Sequence, residues 1–169
     1  MPPPWSKPLD IDRLAGGAAE VGFEIPLAAL PRLGSRTPGI GGAVRGMVRF
    51  GRHSGTPMAE ISLDGTAVLQ CQRCMQPMAL PVHSVARVAL LASAAEANGV
   101  AGDLEPVLAP EGHISVGDLV EEEMLLALPI VPLHEVGGQC PAVVSGSDGP
   151  SESAAQRPFE RLGEMLSHK

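Results

Sequence analysis

Apolar and polar residues alternate most regularly in the middle of the chain. From Val44 to Phe50, positions 44, 48 and 50 are apolar and positions 45 and 49 are arginine. A period of two predicts a strand with one face buried and the other in water. Gly51 to Pro57 reads as a hairpin loop. Ala59, Ile61 and Leu63 then alternate with Glu60, Ser62 and Asp64, which predicts a second strand. Gly65 is expected to mark a bulge, after which the strand runs on through Val68 and Leu69 to Cys71. Beyond Pro77, the residues Met78, Leu80, Val82, Ala86, Val88 and Leu90 alternate with His83 and Arg87, a third long strand. Three strands with short connections favour an antiparallel meander.

The period changes near residue 115. Ser115 is a good N-cap, and Asp118 stands three residues later, where a carboxylate suits the helix dipole. Val116 to Leu128 reads as a helix with Leu119, Val120, Met124, Ala127 and Leu128 on its apolar face, stopped by Pro129. The expected fold class is therefore α+β: an antiparallel sheet meander covered by one main helix. Around this unit the pattern is weaker. Phe23 to Leu30 reads as a first extended segment and Gly34 to Gly42 as a loop. Ala92 to Gly102 is a small-residue linker, and Leu104 to Leu108 a short strand. Residues 1–22, rich in Pro, Gly and Ala, are expected to be a flexible N-terminal segment, and 23–135 the α+β domain. Residues 136–169 are expected to be an acidic, Gly/Ser-rich tail with a short terminal helix over Phe159 to Leu166.

Composition sharpens this picture. The 169 residues, 44% hydrophobic, suffice for one core, while 17 prolines and 20 glycines imply many turns. The longest strongly apolar run, Met124 to Leu133, contains Pro129 and Pro132. It falls short of the roughly 20 apolar residues of a spanning helix, so no membrane association is expected. The N-terminus lacks the charged start and apolar stretch of a secretory signal, and the expected location is the cytoplasm. The net charge of -7 is unevenly spread. Residues 1–90 carry nine basic and six acidic side chains, and residues 91–169 three and thirteen. A nucleic-acid-binding face, if present, belongs to the first part.

Three cysteines, Cys71, Cys74 and Cys140, are an odd number and argue against a secreted disulfide framework. Cys71-Gln72-Arg73-Cys74 is the most informative local feature. This spacing puts two thiolates on one tight turn, both able to reach one metal ion. Zinc needs two further ligands, and His134 and Cys140 are the candidates, giving a Cys3His set. The competing reading is a pair of reduced thiols at a strand end. A redox pair is disfavoured, because such pairs sit at a helix N-terminus and this one lies between two strands.

Arg45 and Arg49 project from one strand face, and Arg52, Arg73 and Arg87 are expected nearby in the meander. Such a cluster could hold phosphate of RNA; the alternative is a solvated face. With no Tyr, one Trp and three Phe, base stacking is not expected to contribute. Glu121, Glu122 and Glu123 could dock a basic partner, or simply serve the first turns of a helix. No Walker loop, G-x-S-x-G or H-E-x-x-H occurs. The histidines at 53, 83, 113, 134 and 168 are scattered, so no enzymatic activity is expected.

Taken together, these segments resemble a known family. Leu69-Gln70-Cys71-Gln72-Arg73-Cys74 is similar to the L-x-C-x-R-C signature of the YceD family, the large ribosomal RNA subunit accumulation proteins. Asp118 to His134 resembles the family's acidic helix followed by L-x-L-P-x-V-P-x-H, and Pro158-Phe159-Glu160-Arg161-Leu162 its terminal P-F-x-x-L. The segments occur in the family's order and cover the chain from about residue 40 onward. Some members carry a richer cysteine cluster after the helix, where this sequence has Cys140 alone. The resemblance implies a non-catalytic role in synthesis, processing or stability of large-subunit ribosomal RNA. The partner it implies is that RNA or a basic ribosomal protein. The alternative reading is a zinc-stabilised protein-interaction module unrelated to RNA; a thiol oxidoreductase is more distant.

Overall fold

The structure, a computed structural model, describes residues 3–37, 39–100, 102–135 and 140. In chain order its elements are β1 (Leu9–Asp10), α1 (Ile11–Gly16), β2 (Glu20–Pro26), α2 (Pro31–Arg36), β3 (Gly41–His53), β4 (Thr56–Gln70), β5 (Pro77–Leu91), β6 (Glu105–Leu108), β7 (His113–Ile114) and α3 (Val116–Ala127). Five strands form one sheet in the order β2-β3-β4-β5-β6, and β1 pairs with β7 in a small second sheet. β3, β4 and β5 are the expected antiparallel meander, and β2, starting three residues earlier than the extended segment expected from Phe23, adds a fourth antiparallel strand to it. β6 departs from it by pairing parallel to the end of β5.

Registers explain which residues are buried. Val48 lies opposite Ile61, Phe50 opposite Ala59, and Ala59 opposite Val88. These belong to one sheet face, which packs against Leu119, Val120 and Met124 of α3. The Ser115 hydroxyl accepts the Asp118 N–H at 3.0 Å, while the Asp118 carboxylate accepts the Ser115 N–H at 3.1 Å, so both ends of a capping box are made. The predicted helix therefore begins where its cap stands and ends one residue before its expected boundary.

Several local expectations differ from the structure. The hairpin between β3 and β4 is a two-residue turn at Ser54-Gly55, both with positive φ, so the strands run further into the expected loop. A primed turn of this kind matches the strand twist, which lets pairing continue to His53 opposite Thr56. Gly65 makes no bulge: the register passes from Asp64 to Thr66 without a break. Its lack of a side chain instead lets β3 approach, since a Cβ there would meet the Val44 backbone. The expected loop over 34–42 contains the end of α2, started by Pro31 at its first turn. The N-terminal stretch, expected to be flexible, carries β1 and α1. Ile11 and Ala15 are buried, and Trp5 packs on Gly117 of α3. Apolar residues spaced four apart in so short a helix were too few to register as a period. The expected terminal helix over 159–166 and the 136–153 stretch lie outside the described residues, apart from Cys140.

Gly46, like Gly42, sits where β3 approaches β4 most closely. A Cβ would collide with the Ser62 carbonyl and stand 2.9 Å from the Phe23 ring. Because the obstacle is backbone, the strand itself must move. Gly46→Ala is expected to cost about 3 kcal/mol in urea unfolding; a loss under about 0.5 kcal/mol would show that β3 yields freely.

Candidate metal centre

Cys71 follows the last residue of β4, and Cys74 closes the turn before β5. The Met75 N–H donates to the Cys71 carbonyl at 2.9 Å, and the Cys71 N–H to the Gln76 carbonyl at 2.9 Å. The second half of the site comes from the segment after α3. Pro129 ends that helix, and with Pro132 it favours an extended strap. The strap docks on the thiol turn: Gln72 N–H donates to the Pro132 carbonyl at 2.9 Å, and the Arg73 guanidinium to the His134 carbonyl at 3.1 Å.

The four side chains predicted from spacing are brought together. The sulfurs of Cys71 and Cys140 are 3.8 Å apart. His134 Nδ1 lies 3.4 Å from the Cys74 sulfur and 3.7 Å from that of Cys140. All four ligand atoms fall within 4.8 Å of one another, an arrangement that can hold one metal ion. Cys71 is buried and the other three are half-buried. The three thiols are free.

The electrostatics favour thiolate. Burial of Cys71 opposes ionisation, but the N–H groups of His134, Cys74 and Arg73 aimed at its sulfur outweigh it and bring the thiol down to about 5. The Arg73 guanidinium, 3.2 Å from the Cys140 sulfur, lowers that thiol's pKa. The hydrogen bond to the Cys140 sulfur, then that to Cys71, raises His134. Cys74 is raised: the Gln76 N–H lowers it, but burial and hydrogen bonds donated toward Cys140 and Cys71 together prevail.

The five arginines do not form one cluster. Arg45, Arg49 and Arg87 share the sheet face away from α3, as their alternation implied. There they are interleaved with acids. Arg49 pairs with Glu20 at 3.1 Å and Glu60 at 3.3 Å, and Arg87 with Asp103 at 2.9 Å. Arg45 stands between Glu24 and Asp64 in register. Arg52 is on the opposite face, held by Asp12 of α1 at 2.6 Å. Arg73 belongs to the thiol turn at the far end of β4 from Arg52.

The three consecutive glutamates also separate. Glu121 is only 4% exposed. It accepts the backbone N–H groups of Arg32 at 2.8 Å and Leu33 at 2.9 Å. Glu121 therefore caps α2 from a distance, because Leu30 at the N-cap position has no oxygen to offer, and it is not free to dock a partner. Glu122 pairs with the Arg32 side chain, and Glu123 accepts the Ser84 hydroxyl. Sequence reasoning missed this cap. Its available signal was Pro31, which marks a helix start without an N-cap residue.

A five-stranded sheet carrying one main helix, with a Cys3His cluster tying the strap to the sheet end, defines an α+β protein able to hold a metal ion. Residues 59–166 match the family described as Large ribosomal RNA subunit accumulation protein YceD. That span is well over half of the sequence, and the chain belongs to the YceD family. No solved structure matches the chain. Among the described residues, no helix is long and apolar enough to cross a membrane.

Proposed function

We propose that this chain is a non-catalytic, cytoplasmic factor that supports accumulation of large-subunit ribosomal RNA, with a zinc-pinned Cys3His knot as its structural clasp. The family match over 59–166 carries this reading, since that span contains the thiol turn, α3 and the strap together. Zinc suits the donor set. Tetrahedral coordination at about 2.3 Å to sulfur and 2.0–2.1 Å to nitrogen places sulfurs about 3.8 Å apart, and sulfur and nitrogen about 3.5 Å apart. The spacings of 3.8, 3.4 and 3.7 Å agree with this. Four protein ligands leave no open position, which favours a structural role over a catalytic one.

The charge layout favours a basic ribosomal protein over bare RNA as the contact. On the outer sheet face, Arg45, Arg49 and Arg87 are matched by Glu20, Glu24, Glu60 and Asp64. Such a face gives little phosphate attraction, because carboxylates within one strand spacing cancel it. Depleting the protein from its cell should lower the ratio of large- to small-subunit ribosomal RNA. An unchanged ratio would remove the RNA role and leave a zinc-stabilised interaction module, the reading that the Cys3His cluster alone supports. Direct RNA contact is checked separately: the doubly changed Arg45→Glu, Arg49→Glu chain should bind, or fail to bind, RNA as the parent does at low salt.

A further inference from the structure

β5 is paired along only part of its second edge. β4 covers it from Pro77 to Ala89, whereas β6 covers only Val88 to Leu91. Among the described residues, no strand lies against the β6-side edge from Pro77 to Arg87. Backbone alternation identifies the free groups. The Ala109 N–H donates to the Leu91 carbonyl at 2.7 Å, so Leu91 faces β6. Every second residue faces the same way. His83 and Val85 therefore present N–H and C=O to the open edge, Arg87 presents its N–H, its carbonyl being taken up by Glu105 at the start of β6, and Pro81 presents a carbonyl alone.

This edge borders a groove of about 520 Å³ that opens between β5 and the second half of α3. The bond between Ser84 and Glu123 closes its floor. Glu105 and Glu123 stand on the α3 side, since Glu105 is in register with inward-facing Val88. On the outer side, Asp103 already holds Arg87. The lining thus carries three carboxylates against one engaged guanidinium. Its rims are apolar and exposed, Val85 at 60% and Leu126 at 71%.

We propose that this groove seats an extended, basic segment of a partner protein, which adds as a strand to β5 between Pro81 and Arg87. The proposal rests on the protein-partner reading above and gives that partner its seat. Main-chain hydrogen bonds to His83, Val85 and Arg87 supply the template, as in strand addition generally. Seven residues at about 3.3 Å each give a track of about 23 Å. Side chains of the incoming strand alternate. Lysine or arginine at every second position faces Glu105 and Glu123, and the intervening β-branched residues cover Val85. A second copy of this chain is disfavoured as occupant, because edge-to-edge pairing would set these carboxylates against their own counterparts.

The test uses the full-length chain and a seven-residue peptide alternating lysine and valine, with a glutamate–valine peptide as control. Amide exchange is read residue by residue at saturation. Exchange at His83, Val85 and Arg87 should slow by at least about tenfold, while Ser84 and Ala86, which face β4, stay unchanged. Glu105→Lys should weaken the lysine peptide about tenfold, and the control should give no protection. Three results overturn the proposal: lysine-peptide binding without slowing at Val85 and Arg87, equal binding of the glutamate peptide, or protection of these amides before any peptide is added. If the peptide fails while depletion still lowers the ribosomal RNA ratio, the groove is refuted and the proposed function stands.

Discussion

Cys71→Ser protein is expected to retain less than about a tenth of an equivalent of zinc, against about one equivalent in the parent. Cys71 is the buried member of the cluster, and three backbone N–H groups converge on its sulfur. A serine hydroxyl neither ionises at neutral pH nor reaches the bond length of a thiolate, so one of four ligands is lost. The damage should stay local, because Gln72 still holds Pro132 through backbone atoms. The sheet keeps its far-ultraviolet signature, while the strap becomes the first site of proteolysis. The pH dependence of the parent follows from proton competition. Metal must displace the proton of Cys74, raised above the ordinary thiol value of 9.0, and that of His134, raised above the ordinary 6.5, whereas Cys71, near 5, is already thiolate at neutrality. Zinc affinity should therefore fall by about tenfold per unit as pH drops across neutrality, for the proton of Cys74, and by about a hundredfold per unit below the raised histidine value, where a second proton competes. Titration against a chromophoric chelator reads both effects, and a full equivalent of zinc in Cys71→Ser would refute the four-ligand site.

Glu121→Ala should destabilise the fold as much as truncating a core side chain. The carboxylate supplies the only side-chain cap that α2 receives among the described residues, through Arg32 and Leu33. Alanine leaves two donors without a partner, one of them buried, and opens a gap between α2 and α3. The combined cost is about 2–4 kcal/mol, or a melting point lower by about 6–15 °C for a domain of this size. Glu121→Gln keeps an acceptor oxygen in place and should lose less than half as much. Equal losses in the two variants would mean that charge, not hydrogen bonding, holds α2, and a parental melting point for Glu121→Ala would dismiss the cap.

Much of this molecule was legible in advance. β3, β4 and β5 are long, and strict alternation over many residues leaves little freedom in assigning faces. α3 declared itself by Ser115 and Asp118 at one end and Pro129 at the other. The four metal-site residues were legible because two of them share one turn. What escaped is non-local. The parallel pairing of β6 depends on where its connection returns, which no local pattern encodes. Arg45, Arg49 and Arg87 share a face as their alternation implied, yet the partners Glu20 and Asp103 come from other elements, and Arg52 and Arg73, expected nearby, lie elsewhere. Glu121 looked like one of three equivalent helix glutamates, and only the arrival of α2, 88 residues away at Leu33, sets it apart.

The cysteine knot also bears on the order of folding. His134 and Cys71 are 63 residues apart, and β5, β6 and α3 all lie between them. Closing so long an open loop costs about 3–4 kcal/mol of chain entropy. Once those three elements have docked, the ends already meet and the cost has been met. His134 and Cys140 thus reach the thiol turn late, and a metal held by all four side chains would mark finished molecules rather than nascent ones.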